Sequence, residues 1–342
     1  MGIKQLAAEL GVSVGTVSRA LNNRYGVDPE TRERVVAAAK RLGYVPDAAA
    51  RRLKSHPLWR LALLFAPFRG EQGEINPAAV ATVDALRREA ERRGLDFQVL
   101  PFAGDEDLIV RCEAGEFDAT ISYGHFETAT FELLRARGMP TVALQGRTRA
   151  GRQVPVRVDT RAAAYEAVIY LAALGHRRLA LVAGPESELH HRGFHEGFAE
   201  AAREFALEAP AEWRLSLGAD HINARGAERA LAPLLAADRE RRPTAVVFAS
   251  DWLACGGLEA ARVAGLSVPG DLSLTGFDNL PIAAEQTPPL TTFDVHLDLL
   301  AETVLDTAAK LLENPLLTAE ELDEPLVRAD FVKRGSCALV GR

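Results

Sequence analysis

Two sets of residues in this chain have types and spacings that could do chemistry. The first lies within Ile3–Asn22. Val14, Gly15, Ser18 and Arg19 fall on one face of a short helical stretch, while Val17, Ala20 and Leu21 fall on the other. Arg19 on such a face can make a bidentate contact to a guanine, and Val14 can meet a thymine methyl. The second set is acidic and polar. Asp159 follows Val156-Arg157-Val158, Ser250 and Asp251 follow Val246-Val247-Phe248-Ala249, and Asp278 follows Leu272–Phe277. Carboxylates that only accept hydrogen bonds suit the hydroxyls of a sugar, and Phe68 or Trp252 could cover its apolar face. Two structural duties compete for the same carboxylates: Asp251 could cap a helix starting at Trp252, and Asp278 could form a turn with Asn279.

The elements needed to position the first set are readable nearby. Ile3, Leu6, Ala7 and Leu10 give a first helix one apolar face, Gly11 ends it, and Ser13 is placed to cap the second. Asp28 followed by Pro29 opens a third helix whose face Val35, Val36, Ala39 and Leu42 closes a three-helix core. A helix pair around a glycine turn reads as a helix-turn-helix, with its second helix presented to a major groove. Beyond Pro57 the pattern changes to short continuous apolar runs alternating with helical stretches. The runs are Leu61–Phe65, Asp96–Leu100, Ala119–Ser122, Thr141–Leu144, Leu179–Val182 and Ala245–Phe248, with a helix from Pro77 to Arg93. Such runs predict parallel sheets covered on both faces, with ligands bound outside the carboxyl ends of the strands.

Charge divides the chain unevenly. The net charge is −7 over 342 residues, yet residues 1–57 carry 10 Lys+Arg against 5 Asp+Glu, a net +5, leaving −12 for the rest. A basic head on an acidic body favours phosphate contact by the head alone. Cys112, Cys255 and Cys337 are an odd number at wide spacings, which fits neither a disulfide framework nor a zinc motif. His191 and His195, four apart beside Glu188 and Glu196, could start a metal site, but no third partner has a telling spacing and the metalloprotease motif is absent. The expectation is no metal, no cofactor and no membrane span. Neither G-x-G-x-x-G nor G-x-x-x-x-G-K-[ST] occurs, so the phosphate-cradling loops of nucleotide enzymes are missing and the chain is expected not to be an enzyme.

The strings Gly11-Val12-Ser13, Thr16-Val17-Ser18-Arg19, Leu21-Asn22, Thr31–Val35 and Leu42-Gly43-Tyr44-Val45-Pro46 closely resemble the headpiece of the LacI/GalR family of bacterial repressors. Val156–Asp159, Leu174–Ala180, Thr275–Asp278 and Pro288–Thr292 look like that family's core motifs, in its order. The resemblance implies an all-α headpiece in residues 1–45, a hinge in 46–57, and an α/β core of two lobes like those of periplasmic sugar-binding proteins. The lobes are expected at 58–165 with 292–322, and at 166–291 with 323–342. DNA contacts are then implied at Ser13, Val14, Gly15, Thr16, Ser18, Arg19 and Asn22, and in the hinge at Ala50, Arg51, Leu53 and Lys54. Leu53 resembles the leucine wedge that enters the minor groove. Effector contacts are implied at Asp159 and Asp278, with Phe68, Arg192, Phe194, Ser250 and Trp252 as further candidates. Phe194 stands where many relatives place an effector-binding arginine, with Arg192 nearby as its substitute.

The function expected is a sequence-specific repressor on double-stranded DNA, with its operator affinity set by a small effector, most simply a sugar. A nucleobase or nucleoside co-repressor on the same fold, or an architectural DNA-binding protein without effector, are the alternatives. Two headpieces on successive major-groove faces imply a homodimer on a pseudo-palindrome. No leucine heptad follows Lys333–Ser336, which favours a dimer over a tetramer. A cytoplasmic, nucleoid-bound protein is the corresponding location.

Overall fold

The computed structural model describes residues 3–21, 27–41, 59–66 and 73–340. Helices α1 (Ile3–Leu10), α2 (Val14–Leu21) and α3 (Pro29–Arg41) form the headpiece. Gly11 leaves α1 with φ +66°, and the amides of Gly11 and Val12 return to the carbonyls of Ala8 and Ala7. Ser13 Oγ accepts from the Thr16 amide at 3.0 Å and Asp28 Oδ1 from the Thr31 amide at 2.8 Å, so both expected caps are in place. Leu6, Ala7, Val17, Ala20, Leu21, Val35, Ala38 and Ala39 are buried together. Each of the larger side chains among them contributes about 1.5–3 kcal/mol by leaving water, which is what lets such short helices persist.

The described chain divides into two compact units, and the headpiece falls within the first. One takes in the described residues of Met1–Ala66, Ala85–Val156 and Ala301–Pro325, and the other those of Pro67–Asp84, Arg157–Leu300 and Leu326–Arg342. The division by contacts therefore changes unit at 66/67, 84/85, 156/157, 300/301 and 325/326; the sequence drew its crossings at 165/166, 291/292 and 322/323.

The first unit is built on β1 (Arg60–Ala66), β2 (Asp96–Pro101), β3 (Ala119–Gly124), β4 (Thr141–Leu144) and β5 (Gln153–Val158). They pair in parallel in the order β5-β4-β3-β1-β2; the last two residues of β5, Arg157 and Val158, belong to the second unit and pair there with β11 (Leu326–Val327). Helices α4 (Pro77–Arg92), α5 (Asp105–Ala114) and α6 (Thr128–Ala136) connect these strands, and α12 (Leu297–Glu313) comes later in the chain; α4 from Ala85 and α12 from Ala301 are counted with this unit. Leu61, Leu63 and Ile121 are fully buried within the strands, as continuous apolar runs require.

The second unit is built on β6 (Leu179–Ala183), β7 (Arg214–Ser216), β8 (Ala245–Phe248) and β9 (Ser273–Thr275), parallel in the order β7-β6-β8-β9. Helices α7 (Thr160–Ala173), α8 (Leu189–Glu204), α9 (Ala224–Leu235), α10 (Asp251–Val263) and α11 (Pro281–Glu285) accompany them, and β10 (Thr292–Asp294) pairs antiparallel with β12 (Asp330–Val332). Helix α7 belongs here because its backbone touches that of α8. A Cβ on Gly193 would strike Thr160 Oγ1, and one on Gly197 would strike the Arg161 carbonyl. The tail is stitched to β9: Ser336 Oγ donates to the Leu274 carbonyl at 2.6 Å and accepts from the Thr291 amide at 2.8 Å. The Ala338 amide donates to Ser273 Oγ, and the Val340 amide to the Leu174 carbonyl. His176 is buried among Thr244, Ser273 and Ala338, with ring nitrogens 3.0–3.2 Å from their oxygens. In each sheet the strand order reverses once, between β1 and β3 and between β6 and β8. Ligands of open parallel sheets bind at such reversals.

Candidate functional site

The surface that the sequence assigns to DNA lies along α2. Ser13, Val14, Gly15 and Arg19 are exposed, Val14 to 41%, and Thr16 is half-buried with its hydroxyl 2.9 Å from Ser13 Oγ. Ser13 thus caps the helix that carries Val14 and Arg19. The Ser18 side chain, Asn22, Ala50, Arg51, Leu53, Lys54 and the remaining hinge lie outside the described residues. Gly11-Val12-Ser13-Val14-Gly15 also spells the G-x-S-x-G of a hydrolase elbow. Here a helix precedes the serine, not a strand, and its hydroxyl engages Thr16, so the elbow's geometry is lacking.

The second surface forms at the strand-order reversal of the second unit. Gly184 follows β6, Ala249-Ser250-Asp251 follow β8, and Gly276-Phe277-Asp278 follow β9. Helix α8 brings three histidines against these ends. His190 Nε2 donates to the Ala249 carbonyl at 2.9 Å, and His195 Nε2 donates to the Gly184 carbonyl at 3.1 Å. His191 is 8% exposed, and its Nδ1 has no hydrogen-bond partner. Burial lowers the pKa of His190, and lowers that of His191 further, where the neighbouring His190 and His195 add repulsion. Both rings are therefore neutral near pH 7. Phe277 meets His190 and Phe194 edge-on, and His190 and Phe194 are tilted at 44° to each other, with centroids 5.2–5.5 Å apart.

Asp251 and Asp278 share this region. Ser250, not Asp251, caps α10, by accepting from the Leu253 amide at 3.2 Å. Asp251 is 0% exposed: Oδ2 accepts from the Leu280 amide at 2.8 Å and Oδ1 from Thr292 Oγ1 at 2.6 Å. Burial pushes its pKa up to about 7 against the opposing pull of those bonds. A Cβ on Gly276 would collide with Asp251 Oδ1, so this carboxyl sits against bare backbone. Asp278 adopts φ +106°, donates its amide to the Phe293 carbonyl at 3.0 Å and leaves Oδ2 buried without a partner. Burial first, and then the nearby Asp251, raise its pKa well above the ordinary carboxylate range.

The other sequence candidates are placed less openly. Asp159 caps α7, accepting from the Ala162 amide at 3.0 Å. Arg192 donates Nε to the Glu186 carbonyl at 3.0 Å, Trp252 is half-buried, and Phe194 is 1% exposed, a core side chain in this structure. Phe68 lies outside the described residues. The structure adds His190 and the tie made by Asp251. The i, i+4 spacing of His190 and Phe194 was a visible signal for the former, whereas Asp251's partners lie far along the chain. Among the described residues no three His, Cys, Asp or Glu are grouped to hold a metal ion, and no helix is long and apolar enough to cross a membrane.

Comparison with known proteins places this geometry. The model of bacterial regulatory proteins of the lacI family matches residues 2–47, and that of a periplasmic binding protein-like domain matches residues 168–337. The chain is 32% identical to the HTH-type transcriptional regulator MalR of Streptomyces coelicolor, across 98% of this chain and 96% of MalR. It is 29% identical to the HTH-type transcriptional repressor CytR of Escherichia coli, across 85% and 83% of the two chains. Among solved structures, the lac repressor dimer bound to operator and the anti-inducer ONPF matches with TM-score 0.67 at 23% identity over 99% of each chain. The regulator CelR in complex with cellobiose matches with TM-score 0.66 at 24% identity over 98% of this chain and 99% of CelR. A LacI-family regulator of Enterococcus faecium with bound ribose matches with TM-score 0.67 at 23% identity, covering 82% of this chain and 100% of that one. With a lacI-type headpiece, a periplasmic-binding-protein-like core and a relative 32% identical along nearly its whole length, the chain belongs to the LacI family, whose members are DNA-binding transcriptional regulators and not enzymes.

Proposed function

We propose that this regulator is a repressor whose hold on its operator is controlled by an uncharged, hydroxyl-rich effector of the sugar class, bound against the ends of β6, β8 and β9. The carrying observation is the pair of buried polar atoms without partners there, Asp278 Oδ2 and His191 Nδ1. Buried polar atoms are nearly always bonded, so an unpaired set at a ligand-binding reversal calls for a ligand with donors and acceptors. Burial keeps His190 and His191 neutral and opposes ionisation of Asp278, and the nearby Arg334 guanidinium is already committed to the Leu290 carbonyl and Asn279 Oδ1, an arrangement that favours a neutral ligand over a phosphate or carboxylate. Cellobiose and ribose in two structural neighbours are in keeping with that chemistry.

On this reading Asp278 is the principal effector contact, and Asp159, Arg192, Ser250, Trp252 and Phe68 are secondary candidates. A homodimer reads a pseudo-palindrome through Val14, Arg19 and their neighbours, and Leu53 wedges a central base step, in a cytoplasmic, nucleoid-bound protein. Effector binding lowers operator affinity. A thermal-shift screen of neutral mono- and disaccharides, sugar phosphates and nucleosides tests the reading, because a ligand of the folded state raises its stability by mass action. A hit among neutral sugars that also releases the chain from a duplex enriched out of a random pool supports it. A hit confined to sugar phosphates or nucleosides, or tighter DNA binding with ligand, refutes the corresponding part.

A further inference from the structure

After α12 the chain makes a tight turn at Asn314–Thr318. Asn314 Oδ1 accepts from the Leu316 amide at 3.1 Å, and the Leu317 amide returns to the Asn314 carbonyl at 3.1 Å. The turn is pinned from several sides. Arg152 donates Nη2 to the carbonyls of Leu311 and Asn314, and Arg149 donates to those of Ala319 and Leu322. Thr318 and Glu321 close a capping box on the short helical turn Ala319–Glu321. Leu311, Ala319 and Leu322, on either side, pack with Val154 in the body of the first unit. Leu316 does not join them. It is 8% exposed, and every other buried member of its cluster belongs to the headpiece: Leu6, Ala7, Val17, Ala20, Leu21, Val35, Ala38 and Ala39.

We propose that Leu316 is a second attachment between headpiece and body, a knob on a rigid turn that seats in the three-helix core and holds the headpiece with its DNA-reading surface open. A separate observation places α3 over the same turn: the charge of Arg32 is felt by Arg152, the residue that grips Leu311 and Asn314. Two guanidinium groups repel, so the contact is held by apolar packing in spite of its charges. Seating leaves the recognition surface free, since Ser13, Val14, Gly15 and Arg19 stay exposed while Leu316 is buried. The docked headpiece is thus able to meet DNA, and its docking lowers the ordering that DNA must otherwise impose. A pinned turn makes the knob effective because little of its own freedom is lost on seating.

The test is Leu316→Ser in the full chain, with Leu316→Met as the conservative control. Hydrogen exchange of the α1–α3 amides should quicken roughly ten-fold or more in the serine variant, the scale set by exposing a buried leucine, while amides of β3, β4 and β5 keep their rates. Affinity for the duplex that the wild-type chain enriches from a random pool should fall roughly ten-fold, with the salt dependence unchanged because no phosphate contact is lost. The methionine variant should behave as wild type. Unchanged headpiece exchange overturns the proposal, and so does equal quickening in β3–β5, which would make Leu316 an ordinary body residue. Quickened exchange with undiminished DNA affinity overturns the pre-orienting role. If the wild-type chain enriches no duplex, sequence-specific reading fails on its own account, and the exchange experiment still decides the anchor.

Discussion

Replacing Asp251 by asparagine should stabilise the second unit at neutral pH and leave it unchanged or slightly weaker in acid. Asp251 is completely buried, and its pKa rises from the ordinary 3.8 to about 7. Between those values the folded chain holds a proton that the unfolded chain has lost, so stability falls as pH rises across that interval, by about 1.4 kcal/mol per pH unit. The contribution is intact below the unfolded pKa and is lost by pH 7; from pH 5 to pH 7 the loss amounts to about 3 kcal/mol. Asparagine can keep both ties. Its carbonyl accepts from the Leu280 amide, and its amide donates to Thr292 Oγ1, which turns from donor to acceptor. The difference in unfolding free energy between Asp251→Asn and wild type should therefore grow by about 3 kcal/mol between pH 5 and pH 8. Urea titrations followed by Trp213 and Trp252, in a Trp59→Phe background, measure this, since both tryptophans lie in the second unit. Asp278 is present in both proteins, so the comparison reads Asp251 and its repulsion of Asp278. Parallel pH curves for the two proteins would refute the argument.

Arg19→Ala should cost about 1–3 kcal/mol of discrimination between bases and flatten the consensus recovered from a random DNA pool; an unchanged consensus removes Arg19 from base reading. Asp278→Ala should weaken binding of the effector found by screening roughly 2- to 13-fold, the worth of about 0.5–1.5 kcal/mol for a hydrogen bond to a carboxyl whose ionisation burial opposes, with DNA affinity in its absence unaltered. Calorimetry and an operator-release assay check the two halves. Gly197→Ala should destabilise the second unit by about 1–3 kcal/mol, because the new methyl would meet the Arg161 carbonyl, and thermal melting that matches wild type would show that the α7–α8 seam can give way.

Local order was legible in the sequence, and distant ties were not. The caps Ser13 and Asp28, the buried face Leu6, Val17 and Val35, and the strands at Thr141–Leu144 and Ala245–Phe248 all follow from spacing within a few residues. Ser250 and Asp251 are both good caps and stand side by side. The backbone decided between them: Ser250 is still extended, with φ −163°, and its neighbour is already helical. Asp251's actual partners are 29 and 41 residues away, beyond any local pattern. The division between units, drawn from the sequence at 165/166 within α7, touches the same difficulty. Helix α7 is set by its seam against α8, where Gly193 and Gly197, four residues apart, were the available sign. Leu316 carried no sign at all: one leucine in a polar turn looks the same whether its neighbours are near or three hundred residues upstream.

The stitching of the tail onto β9 bears on the order in which this protein is assembled during translation. The headpiece occupies residues 3–41, apart from Leu316, and can collapse once those residues leave the ribosome. The second unit cannot finish its sheet so early. Leu274 and Ser273 are bonded to Ser336 and Ala338, and His176 reaches the Ala338 carbonyl, so residues made about 160 positions later complete the surroundings of a side chain already emerged. A ribosome-bound chain would carry a folded DNA-binding module ahead of a body that is still open, with β9 lacking its last partners. On the proposed reading, the effector surface at the ends of β8 and β9 is thereby completed late in synthesis.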